Sequence, residues 1–301
     1  MLSIFRSQKA YRIFVYSSLY GTILFAALLA GLIAVDPVTA DWIAYEDFII
    51  ESMTALGALA ASLVVLAVAL GFLFKKSYLR GGFGLLMAVA FFVIAMEEIS
   101  WMQRILEIEP DDFFLENNIQ KEINFHNLNT AMTMMIFSIV VFVVFTIVPF
   151  LKNVVGRLLD VVRFSQLKIF IPSQWLILVF AIAQGFSMSF AIYPQMYHMI
   201  ILALTALLLL YFVLIRSPDY IKDRRTILYL TILVILAGMM AVNTNVLGGT
   251  DMRAWFPSEY REFFICLGIF LYSIDLVFRA ASDGKERGRS RLKGGRKPAL
   301  V

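Results

Sequence analysis

Cysteine is almost absent from this 301-residue chain. Its one copy, Cys266, excludes an intrachain disulfide and a multi-cysteine metal site and reads as a packing residue. Histidine is nearly as scarce, with only His126 and His198, so a three-histidine zinc site cannot be built. There is no glycine-rich phosphate loop, no nucleophile elbow and no His-Glu-x-x-His. Charge is thin too: 16% of residues are Asp, Glu, Lys or Arg, against about a quarter in an ordinary soluble domain. With 60% hydrophobic residues and a mean hydropathy of +0.81, no soluble fold hides the apolar surface. The formal charge of +4 comes from basic residues in short loops and in the C-terminal tail. That is the signature of membrane topology, and no nucleic-acid partner is expected.

What is present is a series of long apolar runs, eight in all, over 13–35, 46–74, 82–97, 128–151, 171–192, 197–215, 227–243 and 259–278. About 20 such residues span a hydrocarbon core of about 30 Å. The first run exceeds the apolar core of a signal peptide, about 7–15 residues, and reads as an uncleaved helix. The expected fold is therefore all-α, a polytopic integral membrane protein with a bundle of about eight transmembrane helices in one domain, 1–279. A basic tail, 280–301, is expected to be disordered. Within 151–168, Val154, Val155, Leu158, Leu159 and Val162 recur at helical spacing opposite Lys152, Arg157, Arg163 and Lys168, which predicts an amphipathic helix on the membrane surface.

Eight spans with a cytoplasmic N-terminus place 22 of the 26 Lys and Arg inside, leaving Arg104, Lys121, Arg253 and Arg261 outside. Both termini are then cytoplasmic, as the positive-inside rule requires, and a lean chain of this kind fits a bacterial inner membrane. The same map puts 16 of the 22 Asp and Glu at the outer end.

The most informative stretch is Glu97-Glu98, followed by Ile99-Ser100-Trp101-Met102-Gln103-Arg104. A carboxylate inside a span costs about 2.5–3.5 kcal/mol even on the lenient insertion scale, so the pair needs partners or water. Gly82 to Glu97 is about 22 Å of helix, which leaves the pair inside the outer leaflet. Alternating helix direction brings Glu46, Asp47, Glu51, His126, Asn243, Asn245, Glu259 and Glu262 to the same height. Glu97 falls on one helical stripe with Ser100, Trp101 and Arg104. The helix dipole alone accounts for Glu46, Asp47 and Glu259 at N-terminal ends, but it repels Glu97 and Glu98 at a C-terminal end.

Three readings stand. In the first, Glu97, Gln103, Arg104 and Arg261 form a structural network that locks the bundle. In the second, Glu51, Glu97, Glu98, His126 and Glu262 hold a divalent metal. Glu97, Glu98, His126 and Arg104 then carry catalysis, while Trp101, Gln103, Asn127, Asn243 and Arg261 meet the substrate. In the third, the carboxylates relay protons or a cation in transport. Transporters often break helices with Gly or Pro at the midplane; here the polar groups gather at one end. The expectation is a metal-dependent membrane hydrolase or transferase, with membrane lipid and a lipid-linked substrate as partners. His198 reads as an interfacial histidine, and Asp275 as a partner of Arg279.

The segments Glu46-Asp47, Glu51, Thr54-Ala55-Leu56, Glu97 to Arg104, Asn118-x-Gln120-x-Glu122-x-Asn124-Phe125-His126-Asn127 and Glu259-x-Arg261-Glu262 resemble a group of bacterial polytopic membrane proteins. That group carries a Glu-Glu-Ile-Ser-Trp-Gly-Gln-Arg block followed by an Asn-x-Gln-x-Glu-x-Asn-x-His-Asn block. The likeness covers about the first half of the chain and the start of the last run, and Met102 stands where the group has glycine. It implies a multi-helix membrane fold and no particular activity. A looser likeness to alkaline-ceramidase-type membrane hydrolases fails on the histidine count.

Overall fold

The computed structural model describes residues 5, 7–45, 49–103, 105–118, 120–125, 127–186, 196–214, 231–232 and 256–294. Among them every regular element is helical: α1 Gln8–Val35, α2 Pro37–Ile43, α3 Ile49–Phe74, α4 Tyr78–Glu98, α5 Asp112–Asn117, α6 Thr130–Phe142, α7 Val148–Phe150, α8 Lys152–Val161, α9 Leu176–Gly185, α10 Met196–Leu214 and α11 Phe256–Gly294. Five stretches are long and apolar enough to cross a membrane: Gln8–Val35, Ile49–Phe74, Tyr78–Glu98, Met132–Phe150 and Pro257–Asp283. Two further helices, Leu176–Gly185 and Tyr197–Phe212, are apolar but shorter. The expected run 227–243 lies, apart from 231–232, outside the described residues. The chain is thus an all-α protein with five candidate spans among the described residues.

Burial sorts the helices. In α11, 67% of the apolar window is buried, against 28–33% in the other four candidate spans, and α9 is buried at all ten positions. These two form the centre, and the others surround them. The outward faces keep large apolar side chains exposed, among them Leu24 and Leu28 of α1, Leu63 of α3 and Leu86 of α4. Such a surface is matched by lipid tails.

Close approach between helices depends on small residues, as expected where lipid competes for apolar surface. A Cβ on Gly84 of α4 would stand 2.8 Å from the Ala69 Cβ of α3, and one on Gly268 of α11 would stand 2.6 Å from Phe180 of α9. Ser62 of α3 donates to the Ala88 carbonyl of α4 at 2.8 Å. The α3–α4 hairpin turns through a Schellman arrangement, in which the Ser77 and Lys76 amides donate to the Phe72 and Leu73 carbonyls at 2.9 and 2.8 Å. Lys76 occupies the left-handed position, at φ 57°, that favours glycine.

The two ends of the bundle are chemically distinct. At the end where α4 begins, Arg80 is 5% exposed. It pairs with Asp283 at 2.6 Å and donates Nε to the Gln166 carbonyl at 3.0 Å. Beside it Asp275 is fully buried. Its carboxylate accepts from Tyr11 Oη at 2.7 Å, Ser173 Oγ at 2.8 Å and Trp175 Nε1 at 3.3 Å. Arg279 Nε lies 2.8 Å from the same carboxylate, as the i,i+4 spacing anticipated, although that N–H is not aimed at the oxygen.

These contacts also extend the last helix. The last apolar run ends near 278 in the sequence, and α11 continues to Gly294. The reason lies in its next turns: Arg279 is held by Asp275 and donates to the Ile169 and Ile171 carbonyls, and Asp283 is held by Arg80.

Candidate functional site

At the other end, α3, α4 and α11 meet over a floor of small side chains. Ala58, Ala95 and Cys266 pack as one buried cluster. Gly57 of α3 faces Cys266 of α11 here, where a Cβ would stand 3.6 Å from the Cys266 backbone, an ordinary packing distance. Cys266 is therefore the packing residue its surroundings called for. Counting back along each helix, Glu98 lies about 4.5 Å above Ala95, Glu262 about 6 Å above Cys266 and Glu51 about 10 Å above Ala58.

The carboxylates converge over this floor. Glu51 of α3, Glu97 of α4 and Glu259 and Glu262 of α11 all lie in the neighbourhood of Glu98. Acids from three separate helices thus face one junction. Among the described residues, however, no three His, Cys, Asp or Glu side chains stand close enough to hold a metal ion.

Arg261 stands in the same turn of α11 and is 1% exposed. Its Nη1 meets His198 Nε2 from α10, and its Nε has no hydrogen-bond partner among the described residues. A guanidinium only donates, so the facing imidazole nitrogen must accept, and His198 is a neutral ring with its proton on Nδ1. Glu262 and Glu259 offset the Arg261 charge, and Tyr197 lies alongside. The first turn of α11 is fixed to α2 by Tyr260 Oη, which donates to the Ala40 carbonyl at 2.7 Å.

Glu97 does something else. Its Oε1 accepts from Trp101 Nε1 at 2.7 Å and its Oε2 from the Phe125 amide at 2.8 Å. The single helical stripe expected through Arg104 does not form, because α4 ends at Glu98 and Ser100, Trp101 and Met102 all take left-handed φ values of 46°, 53° and 63°. Such residues cost about 1–2 kcal/mol each, and a polar lock holds them. Ser100 Oγ donates to Glu122 at 2.5 Å, and Asn124 Nδ2 donates to Ser100 Oγ at 3.0 Å and to Glu122 at 2.8 Å. Gln103 Oε1 accepts from the Ile123 amide at 2.6 Å. Asn118 donates to Asn124 at 2.9 Å, and Asn127 donates to Gln120. Ser100, Asn118, Glu122, Asn124 and Asn127 are all buried.

The structure therefore gathers Glu51, Glu97, Glu98, Glu259, Glu262 and Arg261 at one end, while Trp101, Gln103 and Asn127 are occupied within the lock. His126, Arg104, Asn243, Glu46, Asp47 and Asn245 lie outside the described residues. His198, read from sequence as an interfacial histidine, is buried against Arg261, and nothing in its local sequence announces a partner 63 positions away. The structural weight of Glu122 and Asn124 had a visible signal, the polar residues at every second position from Asn118 to Asn124. Comparison of the chain with protein-family models, with curated proteins and with solved structures finds no match.

Proposed function

We propose that the chain is a multi-pass inner-membrane protein of bacteria with eight spans and both termini cytoplasmic, grouped with the membrane proteins that share its tandem-glutamate block. Its outward end binds a divalent cation and acts as a hydrolase or transferase on a lipid or lipid-linked substrate with an anionic group. The observation that carries this reading is the convergence of carboxylates from α3, α4 and α11 on Glu98, beside the buried guanidinium of Arg261, whose Nε meets no acceptor among the described residues.

Carboxylates brought together inside a membrane protein require positive charge or protons. The donors available are hard oxygens, with His126 as the one imaginable imidazole, which suits Mg²⁺, Ca²⁺ or Mn²⁺. A cation there supplies Lewis acidity, and a neighbouring carboxylate can act as base. Arg261 calls for the opposite sign, and its planar fork matches a phosphate or carboxylate of the substrate. The ligand set of Glu51, Glu98, His126 and Glu262 would have to draw in around the ion. Glu97, with both oxygens already accepting hydrogen bonds, positions the turn and the start of α6.

Elemental analysis of purified, folded protein tests this. The expected result is stoichiometric divalent metal that Glu98→Gln and Glu262→Gln lose without loss of fold; wild-type protein active on a lipid substrate yet free of metal overturns it. The absence of a preformed three-ligand group among the described residues favours a second reading, in which the carboxylates share protons or a monovalent cation in transport. That reading expects gradient-driven flux in liposomes, abolished by Glu98→Gln.

A further inference from the structure

The opposite end of the bundle carries a feature with no part in the carboxylate site. At 100° per residue, Lys152, Asn153, Gly156, Arg157 and Asp160 share one face of α8, and Val154, Leu158, Val161 and Val162 share the other. The apolar set is 46–79% exposed. The polar face is hollow: Lys152, Asn153, Gly156, Arg157, Asp160 and Lys168 line a depression. Gly156 lies at its floor. It is the one buried residue of α8, and the Lys168 stem passes 3.7 Å from where its Cβ would stand. Lys168 is paired with Asp160, which leaves the net positive charge of the hollow to Lys152 and Arg157.

The position of α8 is fixed as well. It starts two residues after Phe150, where the fourth candidate span ends. The segment that follows it is tied beneath the bundle by Arg80 Nε to the Gln166 carbonyl and Tyr272 Oη to the Phe170 carbonyl, at 3.0 and 2.8 Å. The helix therefore sits where the hydrocarbon region gives way to headgroups.

We infer that α8 is a docking site for an anionic phospholipid of the leaflet at this end, with its phosphate diester at the Arg157 rim of the hollow, where the polar face borders Val161, the Lys152 ammonium adding its charge from across the hollow, and its acyl chains against Val154, Leu158 and Val161. A planar guanidinium beside an ammonium is a pairing that phosphate oxygens accept. Free phosphate would satisfy the cations alone; a lipid also covers the apolar face. The inference rests on the multi-pass reading and is independent of the carboxylate site.

The test uses full-length protein reconstituted in mixed phosphatidylglycerol and phosphatidylcholine bilayers, with retained lipids identified by native mass spectrometry after gentle extraction. Wild-type protein retains phosphatidylglycerol selectively, and the Lys152→Gln/Arg157→Gln variant loses that selectivity by on the order of 10-fold at low ionic strength. Lys168→Gln, which releases Asp160 into the hollow, lowers it too and decides the matter should the double variant fail to fold. Wild-type selectivity in a folded double variant overturns the proposal. So does complete displacement of the lipid by inorganic phosphate at matched ionic strength, which would identify a site for the free ion. Protein that resists alkaline extraction from the bilayer yet shows no selectivity sinks the lipid site while leaving the multi-pass reading standing.

Discussion

Asp275 offers the sharpest test of how the basic end is held together. Its carboxylate is fully buried and takes hydrogen bonds from Tyr11, Ser173 and Trp175, besides the charge of Arg279. Three segments of the chain meet on one side chain. Asp275→Asn keeps the shape but exchanges an acceptor oxygen for a donating amide in a ring of donors, and it leaves the Arg279 charge without its partner. Breaking a buried pair costs about 3–5 kcal/mol. Tyr11→Phe removes one bond only, and single interhelical hydrogen bonds in membranes average about 0.6 kcal/mol with a maximum near 1.7. One kcal/mol shifts the midpoint by about 2–4 °C in proteins of 150–250 residues. Asp275→Asn should therefore lower the thermal midpoint in mild detergent by about 6–20 °C, and Tyr11→Phe by about 1–7 °C. Trp175 is a built-in fluorescent reporter. The double variant should lose less than the sum, because Tyr11 has no carboxylate left to meet. An Asp275→Asn protein within about 1 °C of wild type would refute the reasoning.

The other predictions concern single positions. Lys76→Gly relieves a left-handed backbone at an exposed turn and should stabilise the protein by about 0.5–1 kcal/mol, seen as a small rise in thermal midpoint. Glu122→Gln replaces a buried acceptor of two hydrogen bonds and should cost about 1–3 kcal/mol. Limited proteolysis should then cut the 105–125 connection faster, and Ser100→Ala should add little to that rate. Asp36, which caps α2, has its carboxyl held below the usual carboxylate range by the Thr39 hydroxyl and amide. A depressed folded pKa means that this contribution is present above the ordinary value of about 4 and is lost as pH falls through the folded value. The protection factor of the Thr39 amide, its exchange rate relative to the intrinsic rate at each pH, should therefore be high at neutral pH and fall only in strong acid, and Asp36→Asn should make that protection factor largely independent of pH.

Hydrophobic length placed most of the helices, because a bilayer demands it of any span. It located α1, α3, α4 and α11 and set the amphipathic segment at 151–168, where α8 forms. Spacing found the carboxylates that meet at Glu98, since helix ends of alternating direction share a height. It carried the helical stripe of Glu97 on to Arg104, past the end of α4, because left-handed backbone at Ser100, Trp101 and Met102 depends on Glu122 and Asn124, more than 20 residues away. Non-local hydrogen bonds leave no local period. Helix order around the bundle was likewise illegible, so the pairing of Arg261 with His198 could not be foreseen.

The tandem glutamates are best understood as two residues with different duties. Adjacent positions on a helix diverge by about 100°, so Glu97 and Glu98 cannot serve the same neighbours. Glu97 turns toward the loop, where a donated indole N–H and a donated backbone amide do for its charge what water would otherwise do. Glu98 turns toward α3 and α11, where the neighbouring side chains are acids. The strained turn at 100–102 follows at once, and Glu97 reaches across it to Trp101 and Phe125. The position of Glu98 over the Ala58, Ala95 and Cys266 floor therefore depends on how firmly Glu97 anchors the end of α4. Substituting Glu97 should disturb fold and site together, whereas substituting Glu98 should spare the fold and alter what the site binds.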